Sequence, residues 1–342
     1  MAIHIGLIGG GNISNTHAAA ARDIANVVIA AVWGTNPNKV EALAQQHNAR
    51  AYADLKEFLR HRPMEMVVIG SPSGLHADHG IACARQGLHV LVEKPIDITS
   101  GRADALIAES KRAGVKLGVI FQDRFAPDIL RLKQILDEGT LGRLLFIDAR
   151  VKWFRPREYY SHSRWRGTLA LDGGGVLINQ AIHTVDLMLW LLGDAEVLHA
   201  QTATRFHHIE AEDTISLCLE FRDGTMGALH ASTACYPGSP RVLEITGTKG
   251  SIVLEHDRIV AAQGGRVEWV KGPPSDGAVN LNTFSPVVDD CRGHRNAIED
   301  FIRAIERDGT PACDGVEGSR SLALVEAAYD MSRQSNINPS LI

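Results

Sequence analysis

A glycine-rich turn begins at residue 9, between an apolar run and a stretch with the pattern of a helix. The run 3–8 is followed directly by Gly9-Gly10-Gly11-Asn12-Ile13-Ser14. Glycines in such a turn let the backbone approach a ligand closely, so the N-terminus of the following helix can hold a pyrophosphate. Ser14 stands where the usual pattern has a third Gly or Ala. The strand–turn–helix setting nevertheless favours a dinucleotide site over a turn that binds nothing.

The first 120 residues alternate short apolar runs with helix-like stretches. The runs are apolar throughout rather than at every second position, which is typical of strands covered on both faces of a parallel sheet. Strand–helix repetition of this kind predicts a doubly wound α/β domain, a Rossmann fold, over residues 1–122. The predicted strands are 3–8, 27–33, 51–52, 66–70, 88–92 and 115–121.

The pattern changes after Gln122, where strand-like runs follow one another with turn signals such as Asp223-Gly224 between them. We predict an α+β domain with a large, mostly antiparallel sheet over residues 123–342. One face of such a sheet needs cover, and the runs within 213–234 are apolar enough to associate, so we expect a homodimer or homotetramer. The predicted strands are 143–153, 196–206, 213–222, 225–234, 241–246, 250–254, 258–262 and 266–270, and the predicted helices are 127–137, 176–192, 296–307 and 318–333.

Charge and cysteine content exclude several classes of protein. Lysine and arginine number 35 against 40 aspartates and glutamates, a net charge of −5, which argues against nucleic acid and an anionic membrane surface as partners. No apolar run approaches the roughly 20 residues of a membrane span. The five cysteines show no metal-ligand spacing, and His207-His208 with Glu210 and Glu212 is typical of a polar loop. We therefore expect no metal, reduced thiols and a cytoplasmic protein.

Two further motifs bear on the activity. Glu93-Lys94-Pro95 ends the fifth predicted strand, and Gly173-Gly174-Gly175 opens a long helix that carries His183 and Asp186. Together with the N-terminal glycines and the loop from Ser71-Pro72 to His76, these motifs resemble the Gfo/Idh/MocA family of oxidoreductases over nearly the whole chain. The resemblance implies NAD(P)-dependent oxidation or reduction of a ring carbon of a pyranose sugar, a sugar derivative or a cyclitol.

The resemblance and the chemistry of the side chains indicate the same catalytic groups. A lysine beside a cationic nicotinamide can relay a proton, and His183 can take the hydroxyl proton as hydride leaves. Asn179 stands where family members commonly have aspartate, and an amide orients a substrate hydroxyl rather than accepting its proton. Asn179, His183 and Asp186 share one stripe of the predicted helix, while a hydrogen-bonded core histidine is the alternative for His183. The predicted catalytic residues are Lys94, His183 and Asn179.

The end of the second predicted strand bears on the choice between NAD and NADP. NAD enzymes usually hold the ribose hydroxyls with an acid there, but residues 32–39 contain no aspartate or glutamate. Thr35, Asn36 and Lys39 could bind a 2′-phosphate instead, although no arginine takes the usual stacking place, so we expect NADP to be slightly favoured over NAD. The predicted cofactor-binding residues are Gly9, Gly11, Asn12, Ile13, Gly34, Thr35, Asn36, Lys39, Ser71, Pro72, His76, Glu93 and Lys94.

The segment 152–166 is rich in aromatic residues and arginines. Aromatic rings offer a flat platform to a sugar ring, and arginines can bind a carboxylate or a phosphate through two hydrogen bonds. A solvated basic surface or a set of interdomain salt bridges explains any one of these arginines equally well. The predicted substrate-binding residues are Arg124, Trp153, Tyr160, Trp165, Arg166, Asn179 and His183, of which Arg124 rests on the resemblance.

Two other functions stay open for a chain of this kind. One is redox-neutral glycoside hydrolysis, in which NAD oxidises and re-reduces the sugar within one cycle. The other is a non-catalytic regulator that binds a dinucleotide. Such a regulator can dispense with catalytic residues, so the presence of Lys94 and His183 argues against it.

Overall fold

The computed structural model describes residues 2–264 and 290–337, and these residues divide into two units. The first unit comprises 2–122 with 290–319, and the second comprises 123–264 with 320–337. The sequence predicts two continuous domains, 1–122 and 123–342. The structure differs for residues 290–319, which belong to the first unit.

The described residues contain these elements. The strands are β1 (Ile3–Ile8), β2 (Val27–Trp33), β3 (Arg50–Tyr52), β4 (Met66–Ile69), β5 (His89–Glu93), β6 (Leu117–Ile120), β7 (Leu144–Lys152), β8 (Ala195–Ala203), β9 (Thr214–Phe221), β10 (Met226–Ser232), β11 (Val242–Gly247), β12 (Gly250–Glu255) and β13 (Arg258–Gly264). The helices are α1 (Asn12–Arg22), α2 (Pro37–Gln46), α3 (Leu55–Leu59), α4 (His76–Ala84), α5 (Ser100–Ala113), α6 (Pro127–Asp137), α7 (Glu158–Ser161), α8 (Ile182–Leu192), α9 (Arg292–Glu306) and α10 (Gly315–Ile337). Over this part of the chain, none of the helices combines the length and the apolar character needed to cross a membrane.

The first unit contains a six-stranded parallel sheet in the order β3-β2-β1-β4-β5-β6. All residues of β4 and β6 are buried, as the continuous apolar runs predicted for strands covered on both faces. The chain runs outward from β1 through β2 to β3 and then returns to β4 on the other side of β1. Ligands of such sheets bind at the carboxyl ends of the strands beside this reversal, where the loops after β1 and β4 lie.

The segment 290–319 joins the first unit through contacts with β6. The N–H of Val119 donates to the carbonyl of Cys313 at 2.9 Å, and Asp314 forms an antiparallel bridge with Gly118. A side chain at Gly118 would lie 2.7 Å from the Phe301 ring of α9, so this glycine makes room for the helix. These partners are nearly 200 residues apart in the sequence, which is why local patterns did not predict the contact.

The second unit contains a seven-stranded sheet in the order β13-β12-β11-β7-β10-β9-β8, with one parallel pair, β7 and β10. The other neighbouring strands are antiparallel, which confirms the predicted fold class. Burial alternates along β7 and β9, so the sheet has one buried and one open face. The predicted strand 266–270 lies outside the described residues.

The open face of this sheet differs from the one that the sequence analysis used to predict association. The apolar residues of β9, such as Leu217 and Leu219, are buried, while Cys218 and Glu220 between them are exposed. The open face carries Phe146 and Met226, which are 49% and 52% exposed and pair in register across β7 and β10. The apolar side chains of β9 are therefore not available for association, and association through the open face stays a prediction that rests on Phe146 and Met226.

Candidate active site

The glycine turn leaves the start of α1 accessible to a ligand. Gly9 adopts φ +127°, and a side chain there would lie 2.8 Å from the carbonyl oxygen of Gly70. Gly11 caps α1 without a side-chain hydrogen bond among the described residues, and a Cβ at Gly11 would meet nothing within 4 Å. The first N–H groups of the helix, from Asn12 and Ile13 onward, therefore face open space with the positive end of the helix dipole. This arrangement fits a pyrophosphate.

The surroundings of Ser14 show how the turn accommodates a serine where the usual pattern has a third glycine or alanine. Its side chain is buried, and its Oγ lies 2.6 Å from the place that a Cβ of Gly9 would take and 3.4 Å from that of Gly70. Serine therefore fills the small space that the third glycine or alanine normally leaves. The glycines at 9 and 70 make room for it.

The residues after β2 cap the next helix and contain no acid in its first turn. Asn36 accepts a hydrogen bond from the N–H of Lys39 at 3.1 Å through Oδ1, with Pro37 at the first helical position. Gly34 lies against the glycine turn, because a Cβ at Gly34 would be 3.2 Å from the carbonyl carbon of Gly9. Any side chain at position 34 would therefore press on the backbone predicted to hold the pyrophosphate.

His76 connects the loops after β4 and β5. Its Nδ1 lies 2.7 Å from the carbonyl oxygen of Pro95 and its Nε2 lies 2.9 Å from that of Ser71. The ring is buried, and burial lowers the pKa of His76. Both ring nitrogens thus face backbone carbonyls, which gives His76 a bracing role where the sequence analysis predicted direct contact with the cofactor. Pro72 follows Ser71 directly and precedes a short 3-10 turn at Ser73–Leu75.

Asp97 is a second brace of these loops that the sequence analysis missed. Its carboxylate is fully buried and accepts from the N–H of Ala77 at 2.8 Å, the N–H of Ile98 at 2.7 Å and Nε of Arg102 at 2.7 Å. It therefore ties the chain after the Glu-Lys-Pro motif to the start of α4. No periodicity or motif marks Asp97 in the sequence.

Glu93 is the centre of a buried cluster rather than an open cofactor contact. Its Oε1 lies 2.8 Å from Nε2 of His17 on α1 and 3.5 Å from Nε2 of His294 on α9. Its Oε2 accepts from the backbone N–H of Lys94 at 3.2 Å. The cluster therefore joins the helix of the glycine turn, the Glu-Lys-Pro motif and α9, and it fixes the backbone at Lys94.

The same three side chains are close enough to be tested as metal ligands. Their ligand atoms lie within 4.8 Å of one another. The His17–Glu93 distance is that of a hydrogen bond, and the outer Nδ1 atoms of both histidines are buried without a hydrogen-bond acceptor among the described residues. Histidines that bind metals normally donate from the other ring nitrogen.

Burial lowers the pKa of His17, so we interpret the cluster as neutral histidine donating to ionised Glu93. Burial alone would raise the pKa of Glu93, but the hydrogen bonds from His17 and His294 hold it well below the usual value.

In the second unit, the glycine triplet makes room for a buried carboxylate. Glu212 accepts from the N–H of Gly175 at 3.0 Å, the N–H of Leu177 at 2.9 Å and the hydroxyl of Tyr329 at 2.9 Å. A Cβ at Gly175 would lie 1.7 Å from the backbone oxygen of Glu212, and one at Gly174 would lie 2.2 Å from the Tyr329 hydroxyl oxygen. Burial raises the pKa of Glu212 to about 7. The sequence predicts a polar loop for this residue, and the structure shows it bound to the start of the helix that carries His183, here called the motif helix.

The motif helix begins with a π-helical turn, Leu177–Ala181, before α8. His183 follows this turn with a 12% exposed side chain, and its Nδ1 lies 3.9 Å from Oδ2 of Asp123. Nη1 of Arg241 donates to the same oxygen at 2.5 Å and Nη2 of Arg241 pairs with Asp257. The His183 ring therefore lies beside a carboxylate that Arg241 holds in place.

Asp186 and Asn179, which are predicted to share one face of the helix with His183, each bind a partner of their own. Asp186 is buried in a two-point ion pair, accepting from Arg124 at 2.6 and 2.7 Å. Arg124 is itself buried over the Trp190 ring, so the geometry favours a structural role for it over the predicted substrate contact. Asn179 is half-buried and donates through Nδ2 to Oδ1 of Asp172 at 2.6 Å.

The predicted substrate residues of the loop after β7 lie in a stack of aromatic rings and guanidinium groups or beside a pocket. Trp153, Trp165 and Arg166 take part in a stack of rings and guanidinium groups. Tyr160 is buried with its hydroxyl 3.2 Å from that of Thr233, and burial raises its pKa. Tyr160 and Arg166 also line a pocket of about 740 Å³.

A doubly wound parallel sheet with an open helix start after its first strand, joined to a sheet domain with a histidine on its motif helix, defines an NAD(P)-dependent oxidoreductase acting on CH–OH groups. Residues 3–121 match the family model described as oxidoreductase family, NAD-binding Rossmann fold, and residues 129–253 match the GFO/IDH/MocA C-terminal domain. The chain belongs to the Gfo/Idh/MocA family.

Characterised proteins resemble the chain over almost its full length. Inositol 2-dehydrogenase of Rhizobium meliloti (strain 1021) is 28% identical over 337 residues, 96% of each chain. The WlbA dehydrogenase of Bordetella pertussis, solved with NADH and UDP-GlcNAcA, superimposes with a TM-score of 0.86 at 31% identity and covers 98% of this chain and 96% of its own. Levoglucosan dehydrogenase with NADH and L-sorbose has the same fold, with a TM-score of 0.85 at 22% identity over 98% of both chains.

Proposed function

We propose that the protein transfers hydride between a nicotinamide cofactor and a ring carbon of a pyranose sugar, a sugar derivative or a cyclitol, with His183 and Lys94 as the proton relay. The proposal rests above all on the surroundings of His183. Its ring is only partly exposed and lies 3.9 Å from a carboxylate that Arg241 holds in place. A negative charge held beside the ring favours a histidine that takes up a proton over one that only fills space.

The proposed division of labour follows from the chemistry of each group. When bound, the nicotinamide accepts or supplies the hydride. His183 takes the proton of the substrate hydroxyl, and the negative charge of Asp123 stabilises the imidazolium that results. Asn179 orients the hydroxyl, since its amide cannot accept a proton. Lys94 passes that same proton on towards solvent in oxidation, or returns it in reduction, from a backbone position that Glu93 fixes by accepting its N–H.

The names of related proteins support this substrate class. The relatives include an inositol 2-dehydrogenase and a D-apiose dehydrogenase, and the solved WlbA structure contains a nucleotide-linked sugar derivative. These names span free sugars, cyclitols and nucleotide sugars. They leave the ring carbon and the physiological direction of the reaction for a substrate screen.

We further propose that the cofactor site accepts NADP at least as well as NAD. The start of α2 carries no acid in its first turn, and its N–H groups with exposed Lys39 suit a 2′-phosphate. The side chain of Asn36 is already engaged in capping α2, which leaves Thr35 and Lys39 as the main side-chain donors.

The test combines a substrate screen with two variants. Pyranoses, cyclitols and uronates are supplied with NAD and with NADP, and reduced nicotinamide is followed by absorbance over many turnovers. We expect Lys94→Met and His183→Ala each to lower kcat about 10²–10⁴-fold with cofactor affinity nearly unchanged. The combined variant should lose much less than the product of the two, because groups that act as a unit fail together.

The matched control is His199→Ala, which removes an exposed histidine on β8 of the same unit. It should leave kcat unchanged. Melting temperature and cofactor Kd are measured on each preparation. Near-normal turnover in fully folded His183→Ala would remove His183 from the mechanism, and loss of stability and cofactor binding together would make it a structural residue.

A further inference from the structure

The loop after β7 contains two guanidinium groups that alternate with three aromatic rings. Cζ of Arg155 lies 5.2 Å from the centre of the Trp153 ring and 5.6 Å from that of Tyr159. Cζ of Arg166 lies 4.6 Å from the same Tyr159 ring and 5.0 Å from that of Trp165. We call these five residues the arginine–aromatic stack. Rings on both sides hold each guanidinium group in a fixed position through cation–π attraction.

The stack is attached to the start of the motif helix. The hydroxyl of Tyr159 accepts from Nε2 of Gln180 at 3.3 Å. On the other side, the N–H of Gly167, directly after Arg166, donates to Oδ2 of Asp172 at 2.8 Å, and Oδ1 of Asp172 accepts from Asn179. The stack is therefore bonded to Gln180 and, through Asp172, to Asn179, which lies four residues before His183.

The charge of Arg166 is not balanced by an acid within the part of the chain that the structure describes. Its guanidinium makes no ion pair or hydrogen bond there, and its Nε is buried without an acceptor. Arg166 and Arg157 line the pocket of about 740 Å³ together with His207. The acid among its described lining residues is Glu210, whose Oε2 accepts from the N–H of Leu169 at 2.9 Å.

We propose that Arg166 binds an anionic group of the substrate, a carboxylate or a phosphate, with Arg157 adding charge from the same pocket wall. A partly desolvated guanidinium without an acceptor is costly, and an anion that reaches it supplies two parallel hydrogen bonds. The rings of Tyr159 and Trp165 orient the guanidinium before the ligand arrives, so little conformational entropy is lost on binding. The proposal deepens the proposed function and rests on it for the identity of the ligand as a substrate.

The proposal separates acidic sugars from neutral ones. A uronate, a sugar phosphate or a nucleotide sugar carries the required anion, whereas a free hexose or inositol does not. Carboxylate and phosphate share the geometry that the guanidinium fork recognises. The choice between them is therefore left to the arms of the experiment.

The experiment measures binding rather than turnover. The full-length protein, with oxidised cofactor present, is titrated by calorimetry with D-glucuronate, D-glucose 6-phosphate, UDP-glucuronate and neutral D-glucose. We expect at least one anionic probe to bind tenfold or more tightly than D-glucose. Arg166→Gln should weaken that probe about 10–100-fold, since hydrogen bonds to charged groups contribute about 1.5–3 kcal/mol. Arg166→Lys should recover part of the affinity, because it keeps the charge and loses the fork.

Arg164→Gln is the matched control, since it removes an exposed arginine of the same loop that lies outside the stack. It should leave every Kd unchanged. If Arg166→Gln does not fold, inorganic phosphate must compete with the anionic probe on the unmodified protein. The proposal is overturned when D-glucose binds as tightly as the anionic probes, when none of those probes binds, or when folded Arg166→Gln binds normally. Rapid oxidation of a neutral sugar that is insensitive to Arg166→Gln would leave the proposed function intact and reject the anion site alone.

Discussion

Replacing Asn179 by aspartate would create a pair of carboxylates inside the second unit. Nδ2 of Asn179 donates to Oδ1 of Asp172 at 2.6 Å, and Asp172 is almost completely buried. The family resemblance leads to the expectation of aspartate at this position, which by itself suggests that the change is harmless. In this chain the substitution removes the donor and places an acceptor in its place.

The magnitude follows from the distance. Two unit charges centred about 4 Å apart repel by about 4 kcal/mol at an effective dielectric constant of about 20, which corresponds to about 3 pKa units shared by the pair. The pair would therefore hold a proton in the folded protein that the unfolded chain releases. Because the folded state binds that proton more tightly, stability of the variant falls as pH rises from about 4 to about 7.

The assay is urea unfolding of Asn179→Asp and the unmodified protein at pH 5 and pH 8. We expect the variant to be less stable by about 2–4 kcal/mol at pH 8 and to recover most of this at pH 5. The exchanged pair Asp172→Asn with Asn179→Asp is the control. An asparagine at 172 can accept from Gly167 and donate to the aspartate at 179, so stability should return at both pH values.

The reasoning is refuted if Asn179→Asp shows the pH dependence of the unmodified protein. It is also refuted if the exchanged pair is no more stable than the single variant. Turnover measured on the same preparations gives a second result. The exchanged pair places a carboxylate four residues before His183, where a negative charge favours the protonated imidazole, so the low-pH side of its activity profile should shift to higher pH.

Three further outcomes are expected. Gly34→Asp should lower the ratio of NADP affinity to NAD affinity about tenfold or more relative to Gly34→Ala, because alanine brings the same Cβ against Gly9 without the charge. Equal ratios for the two variants in calorimetry would contradict the cofactor proposal. Phe146→Asp should convert a dimer or tetramer into monomers, because it places a charge on the open sheet face beside Met226. Light scattering measures the change, and an unmodified protein that is already monomeric would contradict the prediction. Burial raises the pKa of Glu212 from 4.5 to about 7, so its ionisation lowers the free energy of unfolding by about 3 kcal/mol as pH rises through that range. Glu212→Gln should abolish this pH dependence in urea unfolding. An unchanged pH dependence would assign it to another group.

The parallel domain was predictable because its strands are encoded locally. The apolar runs 3–8 and 27–33 coincide with β1 and β2, and the family membership inferred from the glycine turn and the two motifs is confirmed. A strand buried on both faces must be apolar at every position, and that pattern is visible in a single short window. Strands with alternating apolar and polar residues, such as β9, were also predicted. Their sequence pattern does not indicate which face of the sheet is open.

The supporting residues of the site were not predictable in the same way. Glu212 and Tyr329 meet the glycine triplet from 37 and more than 150 residues away, so only the glycines themselves signalled that something must approach closely. Asp97 and His294 are single polar residues whose partners are fixed by tertiary structure. The π-helical turn at Leu177–Ala181 breaks the helical stripe that would have grouped Asn179 with Asp186.

The return of residues 290–319 to the first unit has a consequence for how the protein is made on the ribosome. The early chain can form its strands, but His294, Phe301 and Cys313 are synthesised only after the whole sheet of the second unit. Until then Glu93 lacks one of its histidines and β6 lacks the chain that bonds to it. A nascent N-terminal domain would therefore expose an apolar surface until residues 290–319 are synthesised, a state in which chaperones bind and aggregation starts. The first unit to begin is therefore completed only after the sheet of the second unit has been synthesised.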